Sequence, residues 1–243
     1  MPDKKTGYQV WQSRSSLEIL RVENIQQGFP LHTHDRICLG RIDQGAKILV
    51  INEQIIELEQ GDWFLIPAHA PHMCQVKEEQ LVGYTIFCAD NTDELLAGVL
   101  LVNEWEAVGE SVFFDIKRIE PCTNRFKGYD INNDKIDFII KFIETNYREP
   151  LTVTMLAQIS QLSPYHLLHI FKAEVGLSLH QFLLQTRVKR FKEQAPFQQD
   201  LLDLALSCGF YDQSHLIRNF KKYMGITPRQ YLNSIRTIGS DGC

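Results

Sequence analysis

Long hydrophobic runs are missing from this chain of 243 residues. The longest, Leu95 to Val102, has eight residues and contains a glycine, whereas a membrane-spanning helix needs about 20. The amino-terminal Met-Pro-Asp-Lys-Lys-Thr leads into polar residues, so no secretory signal is expected. Cysteine is sparse and irregular. The six residues, at 38, 74, 88, 122, 208 and 243, contain no Cys-x-x-Cys pair, which excludes a disulfide framework and fits reduced thiols in the cytoplasm. With 44% hydrophobic and 23% charged residues, the chain is neither disordered nor fibrous. Its length allows one or two domains.

The formal net charge of −5 hides an asymmetry. Residues 1–149 hold 15 Lys+Arg against 24 Asp+Glu, a net of −9, whereas residues 150–236 hold 10 against 5, a net of +5. An acidic half joined to a basic half suggests that the C-terminal part meets a polyanion. A solvated basic surface would look the same.

The hydrophobic period changes where the charge does. Leu17–Val22, Ile37–Ile42, Ala46–Ile51, Ile55–Leu58, Trp63–Pro67 and Leu81–Cys88 are short apolar segments, several of them separated by Asp43-Gln-Gly45, Asn52-Glu53 and Gln60-Gly61-Asp62. That spacing predicts an antiparallel barrel or sandwich. After Asp93 the pattern turns helical: Leu95, Leu96, Val99 and Leu100 make one stripe, suited either to a homodimer contact or to packing on the chain's own barrel. Residues 103–133 are the least regular. From Asp134 onward the reading is helical throughout.

The helical part repeats itself. A shift of 49 residues places Leu167 on Leu216, Phe171-Lys172 on Phe220-Lys221, Gly176 on Gly225, Ser178 on Thr227, Gln181 on Gln230 and Phe182-Leu183 on Tyr231-Leu232. A fixed period means one supersecondary unit used twice. In the first copy a short helix, Val153–Ser160, meets a turn at Gln161-Leu162. Ser163 then caps a second helix with Pro164 at its first position, and Gly176 stops it. In the second, Asp200–Ser207 is followed by the turn Cys208-Gly209-Phe210, and Asp212 caps a helix that ends at Gly225. Two helices joined by so short a turn make a helix-turn-helix.

The second helix of that motif enters the major groove of DNA. Removing its buried positions leaves Tyr165, His166, Leu168, His169 and Lys172 outward in the first copy. The second leaves Gln213, Ser214, Ile217, Arg218, Lys221 and Lys222. Gln suits adenine, Arg suits guanine, and Leu or Ile packs on a thymine methyl. The lysines suit phosphate. Arg187, Lys189, Arg190 and Lys192, between the copies, suit DNA backbone contact or a bridge between the modules.

Residues 134–236 resemble the AraC/XylS family of bacterial transcription regulators, through Gly209-Phe210-Tyr-Asp-Gln213-Ser214, Phe220-Lys221 and Gly225-Ile-Thr227-Pro228. The resemblance implies two helix-turn-helices set in successive major grooves, with base readers at Tyr165, Leu168 and His169 and at Gln213, Ser214 and Arg218. Leu216 stands where that family usually has an aromatic, and the joining segment carries Pro196 and is about one residue short.

Residues 28–76 are similar to the cupin-like effector domain of the same family. The first element is Gly28-Phe-Pro-Leu-His32-Thr-His34, followed by Gly45; the second runs from Gly61-Asp62-Trp63 to Pro67-Ala-His69-Ala-Pro71-His72. In metal-binding cupins three histidines and a glutamate ligate. Here His32, His34 and His72 take the histidine places, and Cys38 stands at the glutamate's. Three readings stay open: an organic effector pocket lined by His32, His34, Trp63 and His72, a divalent ion on His32, His34, Cys38 and His72, or catalysis. The expectation is therefore a cytoplasmic, non-enzymatic regulator with no certain cofactor. A cupin-like double-stranded β-helix barrel occupies residues 1–120, a linker 121–133, and an all-α domain with two helix-turn-helices 134–243. Its partners are double-stranded DNA, a small-molecule or metal effector and a second copy of the chain; a metal-dependent cupin enzyme fused to a DNA-binding module is the rival.

Overall fold

A computed structural model describes residues 7–12, 17–51, 54–77, 80–90, 133–195 and 200–237. The described residues divide between two compact units, one built mainly of strands and the other mainly of helices. The Leu95–Leu100 stripe and the expected linker through residue 132 lie outside the described residues.

Among the described residues the β-unit has ten strands: β1 (Gly7–Gln12), β2 (Glu18–Ile25), β3 (Phe29–His32), β4 (Ile37–Gln44), β5 (Ala46–Ile51), β6 (Gln54–Glu59), β7 (Trp63–Ile66), β8 (His72–Val76), β9 (Val82–Ala89) and β10 (Ile235–Thr237). One sheet runs β10-β1-β2-β9-β4-β7 and the other β3-β8-β5-β6. All six apolar segments read from the sequence are strands. β1, β3, β8 and β10 were not among them. β10 pairs parallel with β1, so Ile235–Thr237 is a short strand inside the range 134–243 that reads as all-helical in the sequence.

A shared interior takes side chains from both sheets: Val22, Ile42, Phe64 and Tyr84 from the first, Leu49, Ile51, Leu58 and Cys74 from the second. Alternation along each strand decides what enters it. On β5, Lys47, Leu49 and Ile51 are buried while the residues between them are half-buried. The first sheet also buries its other face, with Leu17, Ile19, Leu39, Phe87 and Ala89 in a second cluster. β2 and β9 slip register between Val22 and Ile25, where Asn24 adopts a left-handed conformation with φ 55°, the local kink of a bulge.

The helical unit contains α1 (Asp134–Asn146), α2 (Val153–Ser160), α3 (Pro164–Val175), α4 (Leu179–Gln194), α5 (Leu201–Ser207), α6 (Gln213–Met224) and α7 (Pro228–Ser234). Ile136, Ile139, Ile140 and Ile143 form the buried stripe of α1. The 49-residue repeat holds in three dimensions down to single contacts. Phe171 meets Phe182 edge-on at 5.6 Å, and their counterparts Phe220 and Tyr231 meet edge-on at 5.4 Å. Ser178 and Gln181 form a capping box at the start of α4. Thr227 and Gln230 exchange the same bonds, Thr227 N donating to Gln230 Oε1 at 2.9 Å and Gln230 N to Thr227 Oγ1 at 3.3 Å. Leu167 and Leu216 are both fully buried. The smaller Leu216 therefore fills its core place without the aromatic that the family pattern has there.

Candidate DNA-reading helices and barrel site

α3 and α6 are the second helices of the two motifs. Ser163 accepts the His166 N–H at 3.2 Å and Asp212 accepts the His215 N–H at 2.7 Å, so each helix starts on a satisfied cap. Tyr165, His166, Leu168, His169 and Lys172 are exposed on α3, as are Gln213, Ser214, Arg218, Lys221 and Lys222 on α6. Tyr165 is 75% exposed and stacks on His169, with ring centroids 5.3 Å apart and planes 18° from parallel. An apolar residue this exposed offers its ring to a partner or to solvent.

Behind those faces, Arg187 of α4 is an internal bolt and not a phosphate contact. It is 4% exposed; its Nε donates to the Tyr147 carbonyl at 2.8 Å and its Nη2 to that of Glu149 at 2.9 Å. Burial lowers its pKa. A side chain on Gly209, in the turn of the second motif, would press on Tyr147 O and Arg187 Nε at 2.7 and 2.9 Å. Arg187 thus ties α4 to the segment that follows α1, close beside the second motif's turn. Arg190 donates to Glu193 at 2.8 Å.

In the β-unit His32, His34 and His72 converge: one ring nitrogen from each lies within 4.8 Å of the others. His34 and His72 have ring centroids 4.9 Å apart, and His72 is 1% exposed. Nδ1 of His32 lies 2.7 Å from Pro30 O, and Nδ1 of His72 lies 2.8 Å from Ala70 O. A carbonyl only accepts, so both Nδ1 atoms carry hydrogen, which makes Nε2 the acceptor nitrogen of each neutral ring.

Two sequence-predicted members are placed elsewhere. Cys38 is buried in the barrel interior, its thiol directed to Arg36 O at 3.8 Å, and it is not in the histidine group. Trp63 belongs to the opposite face of its sheet, against Phe87 at 6.3 Å and under the Arg41 guanidinium at 5.6 Å. Its neighbours in the chain, Phe64 and Ile66, take the interior instead. Sequence reasoning missed Glu18, a buried carboxylate on β2 that pairs across the strands with Cys88, itself paired with Cys38. It also missed Lys47, buried in the same interior.

Comparison with known proteins gives this architecture a lineage. The description "AraC-like ligand binding domain" matches residues 15–101 and "Helix-turn-helix domain" matches residues 156–234. The chain thus pairs an AraC-like ligand-binding domain with an AraC-type helix-turn-helix domain. Among its relatives, the HTH-type transcriptional regulator YbfI of Bacillus subtilis is 25% identical over 236 residues, covering 82% of this chain and 86% of that protein. The probable transcriptional regulator LumQ of Photobacterium leiognathi is 24% identical over 245 residues, covering 89% and 97%. A structure of Vibrio cholerae ToxT with an unsaturated fatty acid bound shares the fold, at a TM-score of 0.56 and 11% identity over 91% of this chain and 96% of that one. The protein is a DNA-binding transcriptional regulator with a ligand-binding domain. Among the described residues no helix is long and apolar enough to cross a membrane.

Proposed function

We propose that this regulator reads double-stranded DNA through the exposed faces of α3 and α6 and answers to a small effector held inside its β-unit. It works in the cytoplasm as a homodimer and has no enzymatic activity of its own. The observation that carries the reading is the duplicated helix-turn-helix, in which each second helix is capped, buried on one side by Leu167 or Leu216, and open on the other. Tyr165, Leu168 and His169 would read one site and Gln213, Ser214 and Arg218 the next, with Lys172, Lys221 and Lys222 on phosphate. The fatty acid bound by ToxT is a precedent for a small-molecule effector. Control is linkage: an effector that prefers one of two domain arrangements shifts the population toward it.

Selection of bound duplexes from a random pool by the full chain tests this. A recovered sequence with two half-sites on one face of the duplex is expected, with affinity that falls steeply as salt rises. A pool that stays random after selection refutes it.

A second reading rests on the three converging imidazoles. His32, His34 and His72 suit a borderline divalent ion such as zinc, and the carbonyls of Pro30 and Ala70 hold two of the rings in the ligating tautomer. Such an ion would supply Lewis acidity and a fixed charge for an effector's polar group. Metal analysis of the purified full chain decides it, with about one equivalent expected and loss of metal in His72→Ala.

A further inference from the structure

Among the described residues of the β-unit, Lys47 is the least exposed lysine or arginine, at 2%. It shares the interior face of β5 with Leu49 and Ile51 and stands opposite Leu58 on one neighbouring strand and Val76 on the other. Its Nζ lies 4.0 Å from the centroid of the Tyr84 ring and 5.0 Å from that of Phe29. Among the described residues it has no carboxylate and no hydrogen-bond acceptor. Arg41, the neighbouring interior-strand cation on the other face, makes the contrast: its Nε donates to Asp43 at 2.7 Å. Two ring faces offset part of an ammonium's lost hydration, but not all of it. A cation buried without a counter-charge is expensive, and proteins keep such groups where a ligand supplies the missing charge.

The rest of the interior describes that ligand. From Lys47 the row along β5 passes Leu49, opposite Cys74, and reaches Ile51, opposite His72. At about 3.4 Å per residue, the backbone positions of Lys47 and Ile51 stand roughly 14 Å apart, with Leu49 and its neighbour Cys74 between them. We propose that the effector is an organic monocarboxylate, its carboxylate paired with Lys47 between Tyr84 and Phe29 and its apolar body along Leu49 and Cys74. The proposal rests on the effector reading above and names the effector's chemical class. One negative charge matches one ammonium; a dianionic phosphate would leave a charge uncompensated in the same apolar wall.

The full-length protein is tested by calorimetric binding and thermal melting with octanoate against octanamide, and benzoate against benzamide. At least one acid is expected to bind and to raise the melting temperature, with its amide on the order of 30-fold weaker. Lys47→Met keeps the aliphatic stem and drops the charge. It is expected to remove the preference for the acid and to melt higher than the wild type when no ligand is present. Acid and amide binding alike to the wild type overturns the role of Lys47 while leaving the barrel an effector site. If neither series binds, both readings fall. The acid–amide comparison needs only wild-type protein, so it holds even where Lys47→Met fails to fold. A folded Lys47→Met that melts lower than wild type without ligand also overturns the proposal, because the lysine would then be stabilising the free protein.

Discussion

Gly176 and Gly225, 49 positions apart, close α3 and α6 with the same backbone, φ 76° at one and 77° at the other. Each donates its N–H to the carbonyl four residues back, Lys172 in the first case and Lys221 in the second. An L side chain in that region loses roughly 1–2 kcal/mol to the contact between Cβ and the following carbonyl. Gly176→Ala and Gly225→Ala should each destabilise the protein by about that much and by similar amounts, since the local geometry is one motif used twice. Chemical denaturation of both variants checks it. A difference of more than about 1 kcal/mol between them would show that the copies are not energetically equivalent.

Arg187 gives a larger effect. Its buried guanidinium satisfies two backbone carbonyls, and removing it strands both. Arg187→Met should cost about 2–4 kcal/mol. Arg187→Lys should recover little of it, because one ammonium cannot span both carbonyls with the fork's geometry. Thermal melting separates these from Lys172→Ala, an exposed change expected to fall within about 0.5 kcal/mol of wild type.

The helical unit was legible in the sequence down to single caps, because its signals are local. Ser163, Asp212, Pro164 and the two closing glycines each act within four residues of themselves. The β-unit was less so. β8 reads His-Met-Cys-Gln-Val and β3 carries Pro30, and neither shows the apolar alternation that marks a strand. Trp63 shows the cost of one position: a strand puts adjacent residues on opposite faces, so the indole expected beside the histidines went to the far side of its sheet and Phe64 took the interior. Cys38 did reach the interior, yet not the histidine group. Lys47 could not be read inward from sequence, since a lysine in a strand ordinarily faces water; only the register of β5 with β6 and β8 turns it in.

His215 ties the stability of the second motif to pH. Its ring stacks on Tyr211 at 5.3 Å and meets Phe210 edge-on at 5.4 Å, and its buried Nδ1 has no hydrogen-bond partner among the described residues. Burial, then the nearby Arg187 charge, lowers its pKa, against an opposing pull from Asp212. A histidine whose folded value lies below its unfolded value near 6.5 binds fewer protons when folded. Stability is therefore whole above that unfolded value and declines as pH falls through and below it. His215→Gln should flatten the dependence of the unfolding free energy on pH between about 7 and 5 while leaving the acid limb due to carboxylates. An unchanged slope would refute the assignment.

Arg218 decides whether α6 reads bases. It lies on the exposed face, two residues from buried Leu216 on one side and from buried Phe220 on the other, and five residues past Gln213. As a solvated charge, its loss would leave DNA binding unchanged. As a reader, its planar fork would bond O6 and N7 of one guanine, so Arg218→Ala should weaken specific binding by ~1–3 kcal/mol and relax preference at one base pair. Arg218→Lys should lose the same discrimination, because an ammonium has no planar pair of donors. Lys222→Ala is the control: as a phosphate contact it should weaken all sequences about equally and reduce the salt slope by about one unit. Binding to the selected duplex and to its single-base variants measures all three. An Arg218→Ala protein that folds normally and ranks those duplexes as the wild type does would remove this residue from the reading face.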